Sequence, residues 1–286
     1  MQILITGGGF LGQRLARSLL DAGHVVRILD VAARPASADF EWHVGDVASF
    51  DDIAHALEGC AHVIHLAALL TPACAADPLR GAQVNLIGTL NVFEAARRAG
   101  LKHVVYASSA GVYGPDDASQ PLPTTLYGTW KLAAEGMARA YWAAHGISSV
   151  GLRPLVVYGA GRAIGGSAGP SLACRAAAHG EAYDIPFTGR TGLVYVDDVV
   201  RAFAAALTPH RRGAFVFNMP GVVASIDDVI AELRRQVPGA QLTAHGPSLP
   251  VTADIPAPDM SPVLGDQPVT SLADGIAATL AGYRRR

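Results

Sequence analysis

The chain has little charge, little cysteine and no long apolar run. Charged residues make up 16% of its 286 residues, and 22 Lys and Arg almost balance 24 Asp and Glu. A net charge of −2 offers no basic surface of the kind that nucleic acid requires. Three cysteines are too few for a disulfide framework or a zinc site. Because no apolar run reaches the roughly 18 residues that cross a bilayer, we expect neither nucleic acid nor a membrane as a partner.

The start of the chain lacks the features of an export signal. Met1 leads directly into an apolar segment that ends in glycines, with no basic region before it and no small-residue cleavage site after it. We therefore expect a cytoplasmic protein.

Hydrophobic residues make up 50% of the chain, which excludes disorder. The length predicts about two domains, or one large α/β unit with an appendage, and the basic end Arg284–Arg286 is interpreted as a solvated terminus.

Apolar segments of strand length alternate with helical patterns through the first half of the chain. The predicted strands are Gln2–Thr6, His24–Asp30, Phe40–Val44, Ala61–Leu66, His103–Ser108 and Ser148–Arg153. The predicted helices between them are Leu11–Ala22, Phe50–Glu58, Gln83–Ala99 and Tyr127–His145. Continuous apolar strands are typical of parallel sheets that are covered on both faces. The alternation predicts an α/β fold, a doubly wound parallel (Rossmann) sheet.

The pattern becomes less regular after Arg153. We predict that residues 1–155 form the Rossmann domain and residues 156–286 a small substrate-binding cap over the carboxyl edge of the sheet, where open α/β folds bind ligands. Within the second part, the glycine-rich segment Tyr158–Pro170 predicts a mobile loop. The other elements predicted there are helix Val196–Leu207, which we expect to pack back on the first domain, strand Ala214–Asn218, helix Ser225–Val237, loop Ala244–Pro268 and helix Ser271–Arg284.

A glycine pattern follows the first predicted strand and opens the first predicted helix. Gly7, Gly9 and Gly12 fit G-x-G-x-x-G, in which the glycines allow a tight turn, close approach of a pyrophosphate and close packing of helix on strand. Asp30 ends the second predicted strand, where a carboxylate accepts hydrogen bonds from a ribose 2′-hydroxyl and repels a 2′-phosphate. This arrangement predicts NAD as the cofactor. Arg27 and Arg34 flank Asp30 and leave NADP open.

Gly45-Asp46-Val47 stands at the end of the third predicted strand. Asp46 is there a candidate to hold an adenine amino group, although it is equally placed to cap the helix that follows.

Tyr127 and Lys131 are four residues apart on a predicted helix and therefore share a face. We expect the Lys131 ammonium and the start of the helix to lower the pKa of the Tyr127 phenol toward neutral. Such a phenol is a candidate acid and base for interconverting an alcohol and a carbonyl. Ser108 and Ser109, at the carboxyl end of the fifth predicted strand, are placed to hydrogen-bond a substrate oxygen.

These and further segments together resemble the extended short-chain dehydrogenases/reductases, the NAD-dependent epimerase/dehydratase family. The likeness covers nearly the whole chain. It is carried by Thr6–Gly12, Asp30, Gly45–Val47, His65–Ala68, Val84–Thr89, Ala107–Gly114, Tyr127–Lys131, Arg153–Pro154 and Val196–Asp198.

The resemblance implies a role for each matching residue. Tyr127 becomes the catalytic acid and base, Lys131 binds the nicotinamide ribose and tunes Tyr127, and Ser109 orients the substrate hydroxyl. Ala67 and Ala68 line the cofactor, and Asn85 braces the active-site strands. The full set expected to bind NAD is Gly7, Gly9, Phe10, Leu11, Gly12, Asp30, Asp46, Val47, Leu66, Ala67, Ala68, Asn85, Tyr127, Lys131 and Pro154.

The chain departs from the family pattern at the glycines and at the substrate end. One residue, Gly8, separates the first two motif glycines, where extended members have two. Val156 stands where sugar-nucleotide members commonly carry Asn, and Thr191 where they carry an Arg that grips a diphosphate. We therefore expect a smaller substrate, a sugar acid, polyol or hydroxy acid. The candidate substrate residues are Ser108, Arg162 and Arg190, either arginine being available for a carboxylate.

The predicted reaction is reversible hydride transfer at a hydroxyl carbon. If the cofactor stays bound and the ketone rotates, the result is epimerisation; if NADH leaves, it is dehydrogenation. A UDP-sugar 4-epimerase with tightly bound NAD, an NADP-dependent carbonyl reductase and a non-catalytic NAD sensor or scaffold stay open as alternatives. The segment Gly159–Gly169 is interpreted as a lid or as a plain surface loop.

The resemblance also implies a homodimer through helices Gln83–Ala99 and Tyr127–His145.

The ten histidines show no paired ligand spacing, so we expect no metal.

Overall fold

The computed structural model describes residues 1–36, 38–116 and 118–284. Two arginines of the predicted basic end, Arg285 and Arg286, lie outside the described residues.

Strands and helices alternate along the described chain. The strands are β1 (Gln2–Thr6), β2 (Val25–Asp30), β3 (Glu41–Val44), β4 (His62–His65), β5 (His103–Ala107), β6 (Ser148–Pro154), β7 (Val156–Tyr158), β8 (Tyr183–Ile185), β9 (Arg190–Tyr195), β10 (Ala214–Met219), β11 (Val222–Ser225) and β12 (Leu242–Ala244). The α-helices are α1 (Phe10–Asp21), α2 (Phe50–Leu57), α3 (Thr71–Ala76), α4 (Pro78–Ala82), α5 (Gly88–Arg98), α6 (Leu126–His145), α7 (Gly169–His179), α8 (Val196–Ala205), α9 (Ile226–Gln236), α10 (Ser261–Leu264) and α11 (Leu272–Arg284). A π-helical segment, Gln83–Ile87, joins α4 to α5, and a 3₁₀ turn spans Ala110–Val112.

Within the described residues, the main sheet has seven strands in the order β10-β6-β5-β4-β1-β2-β3. Neighbouring strands are parallel throughout it. The six strands predicted from the first half are β1 to β6, so the prediction of a doubly wound parallel sheet is confirmed. The strand order reverses beside β1, which is where such sheets open a crevice for a ligand at their carboxyl ends.

The two faces of the main sheet are covered by separate cores. Ile3 and Ile5 point into one core with Leu15 and Leu19 of α1. Leu4, between them, points into the other core with Val92 and Phe93 of α5. Side chains alternate between the faces of a strand, so a strand buried on both faces must be apolar at every position, as the run Ile3-Leu4-Ile5 is.

The chain after residue 155 contributes to several layers. β10 pairs with β6 at the edge of the main sheet, and α8 packs against α1. β7, β9 and β11 form a second sheet, and β8 pairs with β12. The predicted division at residue 155 stays a prediction. The glycine-rich segment is irregular only between Tyr158 and Gly169, because these residues end β7 and begin α7.

Several short elements were not predicted from the sequence, among them α3 and α4. Each is shorter than two turns and carries a proline in its first turn, Pro72 and Pro78 respectively. Helical periodicity needs about ten residues to be recognised, so such elements leave no pattern.

Candidate active site

The glycine turn lies at the floor of a cleft of about 660 Å³ at the carboxyl ends of the strands. Gly7 has a φ of +91°, which favours glycine. A Cβ on Gly12 would lie 1.9 Å from the Gly7 carbonyl oxygen, whereas a Cβ on Gly9 would meet nothing within 4 Å. The turn therefore packs closely on one side and is open to the cleft on the other.

Helix α1 begins at this turn with Gly9 as its N-cap, and no side chain caps it. The first N–H groups of an α-helix have no partner inside the helix, and its dipole favours an anion there. Phe10, Leu11 and Gly12 line the cleft at this point. The arrangement fits the pyrophosphate of a dinucleotide.

Asp30 lies beside the turn at the end of β2 and lines the cleft. Its carboxylate accepts hydrogen bonds from the backbone N–H of Gly8 at 2.6 Å and of Ala32 at 2.8 Å. These bonds fix the carboxylate and leave lone pairs for a ribose hydroxyl.

The two arginines that left NADP open are held elsewhere. Arg27 donates to the Ala56 and Glu58 carbonyl oxygens at 2.8 Å, and Arg34 donates to the Ala38 carbonyl oxygen. Neither belongs to the described lining of the cleft. The site therefore fits NAD.

Asp46 and Val47 line the cleft beyond Asp30. Asp46 does not cap α2, because Ser49 is the N-cap of that helix. Its carboxylate accepts from the backbone N–H of Ala48 at 2.9 Å and from Arg80 Nη2 at 2.5 Å. Sequence reasoning missed Arg80, which also lines the cleft.

Leu66, Ala67 and Ala68 follow β4 and line the cleft, and so does Pro154. Asn85 does not line the described cleft. It is buried, its Nδ2 donates to the Leu69 carbonyl oxygen at 2.9 Å, and its Oδ1 accepts from the Leu69 N–H at 2.8 Å. Asn85 thus braces the loop after Ala68, and its contact with the cofactor stays a prediction.

Tyr127, Lys131 and Ser109 converge at the other end of the cleft. Thr125 caps α6 by accepting the Gly128 N–H at 3.1 Å, which places Tyr127 in the first turn. A Cβ on Gly128 would lie 2.0 Å from the Gly111 carbonyl oxygen, so the helix contacts the 3₁₀ turn that follows Ser109. Ser109 Oγ accepts the Gly111 N–H at 3.0 Å.

Lys131 is buried one turn after Tyr127. Its Nζ donates to the Ala107 carbonyl oxygen at 2.7 Å and lies 5.7 Å from the centroid of the Tyr127 ring. Burial lowers the pKa of Lys131 to about 8, so its ammonium is largely charged at neutral pH.

The prediction that the Tyr127 pKa is lowered is wrong for the protein without bound cofactor. Burial raises the pKa of the phenol above its usual value, although the Ser109 side chain acts to lower it. The free-energy cost of charging the buried phenol exceeds the stabilisation of the phenolate that Ser109 supplies.

The predicted substrate residues lie in different places. Arg162 lines the cleft and donates to the Val157 carbonyl oxygen and, at 2.8 Å, to Ser167 Oγ. It has no acidic partner within 4.0 Å among the described residues, and burial lowers its pKa to about 10. Arg190 is exposed, lies 3.7 Å from Asp254 and does not line the described cleft.

Ser108 lines the cleft but is committed to a buried network that sequence reasoning missed. Its hydroxyl donates to Glu135 Oε1 at 2.5 Å. Arg153 donates to both Glu135 oxygens at 2.7 and 2.5 Å, and to the Tyr113 hydroxyl at 2.7 Å. Glu135 stands four residues after Lys131, so its place on the same helix face was the available signal.

Two other kinds of site, a metal centre and a membrane-spanning helix, are absent from the part of the chain that the structure describes. No group of three or more His, Cys, Asp or Glu residues is arranged to hold a metal ion there. No helix among those residues is long and apolar enough to cross a membrane.

The fold and the cleft define an oxidoreductase that binds a nicotinamide dinucleotide. The family model described as "NAD dependent epimerase/dehydratase family" matches residues 3–219. The chain therefore belongs to the NAD-dependent epimerase/dehydratase family, as the sequence motifs predict, and its cofactor is NAD.

Its relatives are enzymes. UDP-glucose 4-epimerase of Mycolicibacterium smegmatis is 32% identical over 315 aligned positions, covering 100% of this chain and 99% of that protein. Uronate dehydrogenase of Pseudomonas syringae pv. tomato is 34% identical over 162 positions, covering 53% of this chain and 58% of that enzyme. The solved structure of MoeE5 with UDP-glucose and NAD superposes with a TM-score of 0.85 at 30% identity, covering 100% of this chain and 99% of that one.

Proposed function

We propose that the protein catalyses reversible hydride transfer at a hydroxyl carbon of a small, sugar-like anion, a sugar acid or hydroxy acid. The observation that carries the proposal is the meeting of Ser109, Tyr127 and Lys131 in the cleft that holds the glycine turn. A binding protein would need the turn but not these three side chains together.

Each of the three residues has a defined task. Ser109 holds the substrate oxygen, and Tyr127 takes the hydroxyl proton during oxidation and returns it during reduction. Lys131 holds the nicotinamide ribose, for which its ammonium keeps donors beyond the one that Ala107 accepts. When bound, NAD⁺ would supply the hydride acceptor, and the positive charge of its ring would favour the Tyr127 phenolate, which burial in the chain alone disfavours.

Arg162 supports a substrate with one anionic group. Two cationic side chains line the substrate end of the described cleft, Lys131 and Arg162. No carboxylate of the described residues neutralises Arg162. Thr191 lines the cleft where a diphosphate-gripping arginine is common, and Arg190 lies outside. This end of the cleft therefore offers one guanidinium. One guanidinium is enough to pair with a carboxylate, but a diphosphate would have no second one to pair with.

A second candidate is a nucleotide-sugar 4-epimerase that retains its NAD. It is favoured by the full-length similarity to UDP-glucose 4-epimerase of Mycolicibacterium smegmatis.

The test is a panel of uronates, aldonates, neutral polyols and UDP-sugars with NAD, followed by NADH absorbance and, separately, by detection of epimerised product. We expect net NADH with a carboxylate-bearing substrate. Arg162→Met should raise the KM for that substrate about 30-fold, the scale of a lost charge-assisted pair, and leave a neutral polyol unaffected. Arg190→Met is the matched control. Turnover of UDP-sugars alone, without net NADH, would establish the second candidate.

A homodimer and a cytoplasmic location belong to the same proposal. Ile87, which ends the π-helical segment, and Leu90 of α5 are 42% and 38% exposed, which supports helix pairing between two copies through α5 and α6. Sedimentation at micromolar concentration tests the dimer, and a monomer there would contradict it.

A further inference from the structure

One ion pair joins the two walls of the cleft at its adenosine end. Asp46 belongs to the loop after β3, Arg80 belongs to α4, and Arg80 Nη2 lies 2.5 Å from Asp46 Oδ2. Both residues line the cleft. We propose that Arg80 and Asp46 form an adenosine clamp, in which Arg80 slows the release of the dinucleotide. The inference depends on NAD binding in the cleft and not on which substrate is turned over.

The position of the pair along the cleft follows from the sheet. Asp30 ends β2 and Asp46 follows β3, on one side of β1, whereas Ser109 follows β5 on the other side. A dinucleotide crosses such a sheet at the point where the strand order reverses, with its ribose against the acidic residue of β2. The adenosine half therefore lies on the side of the clamp, and the nicotinamide half lies on the side of Tyr127.

Helix α4 holds the backbone of Arg80 in place. Asp77 Oδ1 accepts the Arg80 N–H at 3.0 Å. A Cβ on the next residue, Gly81, would lie 2.5 Å from the ring of Trp130 on α6, so α4 is seated on the helix that carries Tyr127. Only the side chain of Arg80 must move to open the clamp.

The charges at this end of the cleft require Arg80. Asp30 and Asp46 place two carboxylates in the lining, while the dinucleotide brings a negatively charged pyrophosphate. Arg80 is the cation that lines this end among the described residues, since Lys131 and Arg162 line the other. It neutralises Asp46, and its planar guanidinium can stack on an aromatic base while it keeps the carboxylate.

The Arg80–Asp46 ion pair is partly exposed to water and can therefore break when the dinucleotide leaves. The Arg80 and Asp46 side chains are 36% and 32% exposed, and ion pairs so exposed to water break at little cost. Removal of Arg80 should thus affect the dissociation of the dinucleotide more than the fold.

The experiment measures the dissociation rate of NADH by stopped-flow fluorescence after mixing with excess NAD. Arg80→Met keeps the length of the side chain and removes its charge. We expect it to raise the dissociation rate about tenfold, the scale of a cation–π contact together with an ion pair. Arg235→Met, which breaks the surface pair with Glu232 at 2.6 Å, is the matched control and should leave the rate unchanged.

The salt dependence of the NADH dissociation rate is a second test, and its first part uses the unmodified protein. In the unmodified protein the dissociation rate should rise between 50 and 500 mM KCl (about a tenfold range of ionic strength), because salt screens a partly exposed pair. In Arg80→Met the rise should be absent. A dissociation rate in Arg80→Met within about twofold of the unmodified protein overturns the clamp, as does a salt-independent rate in the unmodified protein. If the unmodified protein binds no NADH, the cofactor assignment and the clamp fall together.

Discussion

The carbonyl oxygen of Gly111 occupies the position that a side chain on Gly128 would need. A Cβ on Gly128 would lie 2.0 Å from that oxygen, far inside van der Waals contact. This close approach seats the first turn of α6 on the turn after β5 and so brings Tyr127 to Ser109. We predict that Gly128→Ala lowers kcat at least 100-fold, because a displacement of about 1 Å at a catalytic group has effects of that size.

Gly136 provides a control within the same helix. A Cβ there would meet only the Arg139 side chain, at 3.9 Å. Gly136→Ala should keep full activity and gain about 0.5–1 kcal/mol of stability from helix propensity. Equal activity of the two alanine variants, measured with thermal unfolding in parallel, would show that the contact does not position Tyr127.

Tyr127→Phe removes the proposed acid and base without changing the ring. We expect kcat to fall by about 10²–10⁴-fold, the usual contribution of a positioned proton donor, while the Kd for NADH stays within about twofold. Tyr141→Phe is the control, because Tyr141 lies on the same helix and its hydroxyl bonds Glu94 at 3.2 Å, away from the cleft. Turnover at the unmodified rate in Tyr127→Phe would rule out this residue as the proton carrier.

The parts of the site that follow from local sequence were predictable. The glycine turn, Asp30 and the pair Tyr127 and Lys131 each depend on spacing within one strand–helix junction or one helix. The sheet was predictable for the same reason, since each buried parallel strand is apolar at successive positions.

The parts that depend on distant residues were not predictable. Arg80 meets Asp46 across 34 positions, and Arg153 meets Tyr113 across 40. No local pattern encodes such pairings. The Tyr127 pKa was predicted in the wrong direction for a related reason: burial is a property of the whole fold, and it outweighs the lowering of this pKa by the Ser109 side chain and the Arg162 charge.

Asp30 should determine the choice between NAD and NADP. Asp30→Asn keeps an acceptor for the Gly8 N–H but removes the charge that repels a 2′-phosphate. We expect the ratio of the Kd for NADP to the Kd for NAD to fall about tenfold, measured by titration calorimetry. Asp21→Asn, an exposed change on α1, should leave that ratio alone. An unchanged ratio in Asp30→Asn would mean that another residue sets the preference.

His65 should make the protein sensitive to acid. Its Nδ1 lies 2.6 Å from Thr6 Oγ1 and its Nε2 lies 3.1 Å from Thr89 Oγ1, and burial lowers its pKa to about 3. The ordinary pKa of histidine is about 6.5. Between these two values the unfolded chain binds a proton that the folded chain does not, so stability falls as the pH falls through this window, by at most about 1.4 kcal/mol per pH unit.

The measurement is the free energy of urea unfolding between pH 3 and pH 6.5, the range set by the lowered and ordinary pKa values of His65. In His65→Gln the histidine contribution to the slope should be absent, although the variant loses stability at neutral pH. His179→Gln, a change on the exposed last residue of α7, should keep the full slope. Parallel slopes in all three proteins would refute the assignment.

Glu135 should be the most costly carboxylate to neutralise. It is fully buried and accepts from Arg153 at 2.5 and 2.7 Å and from the Ser108 hydroxyl at 2.5 Å. Glu135→Gln leaves the Arg153 guanidinium buried without a counter-charge, which costs about 3–5 kcal/mol. Glu232→Gln, which breaks a pair with the exposed Arg235, should cost less than about 1 kcal/mol. Denaturant unfolding of both variants decides the point: similar small losses would mean that water reaches Arg153 and that the network does not hold α6 against β6.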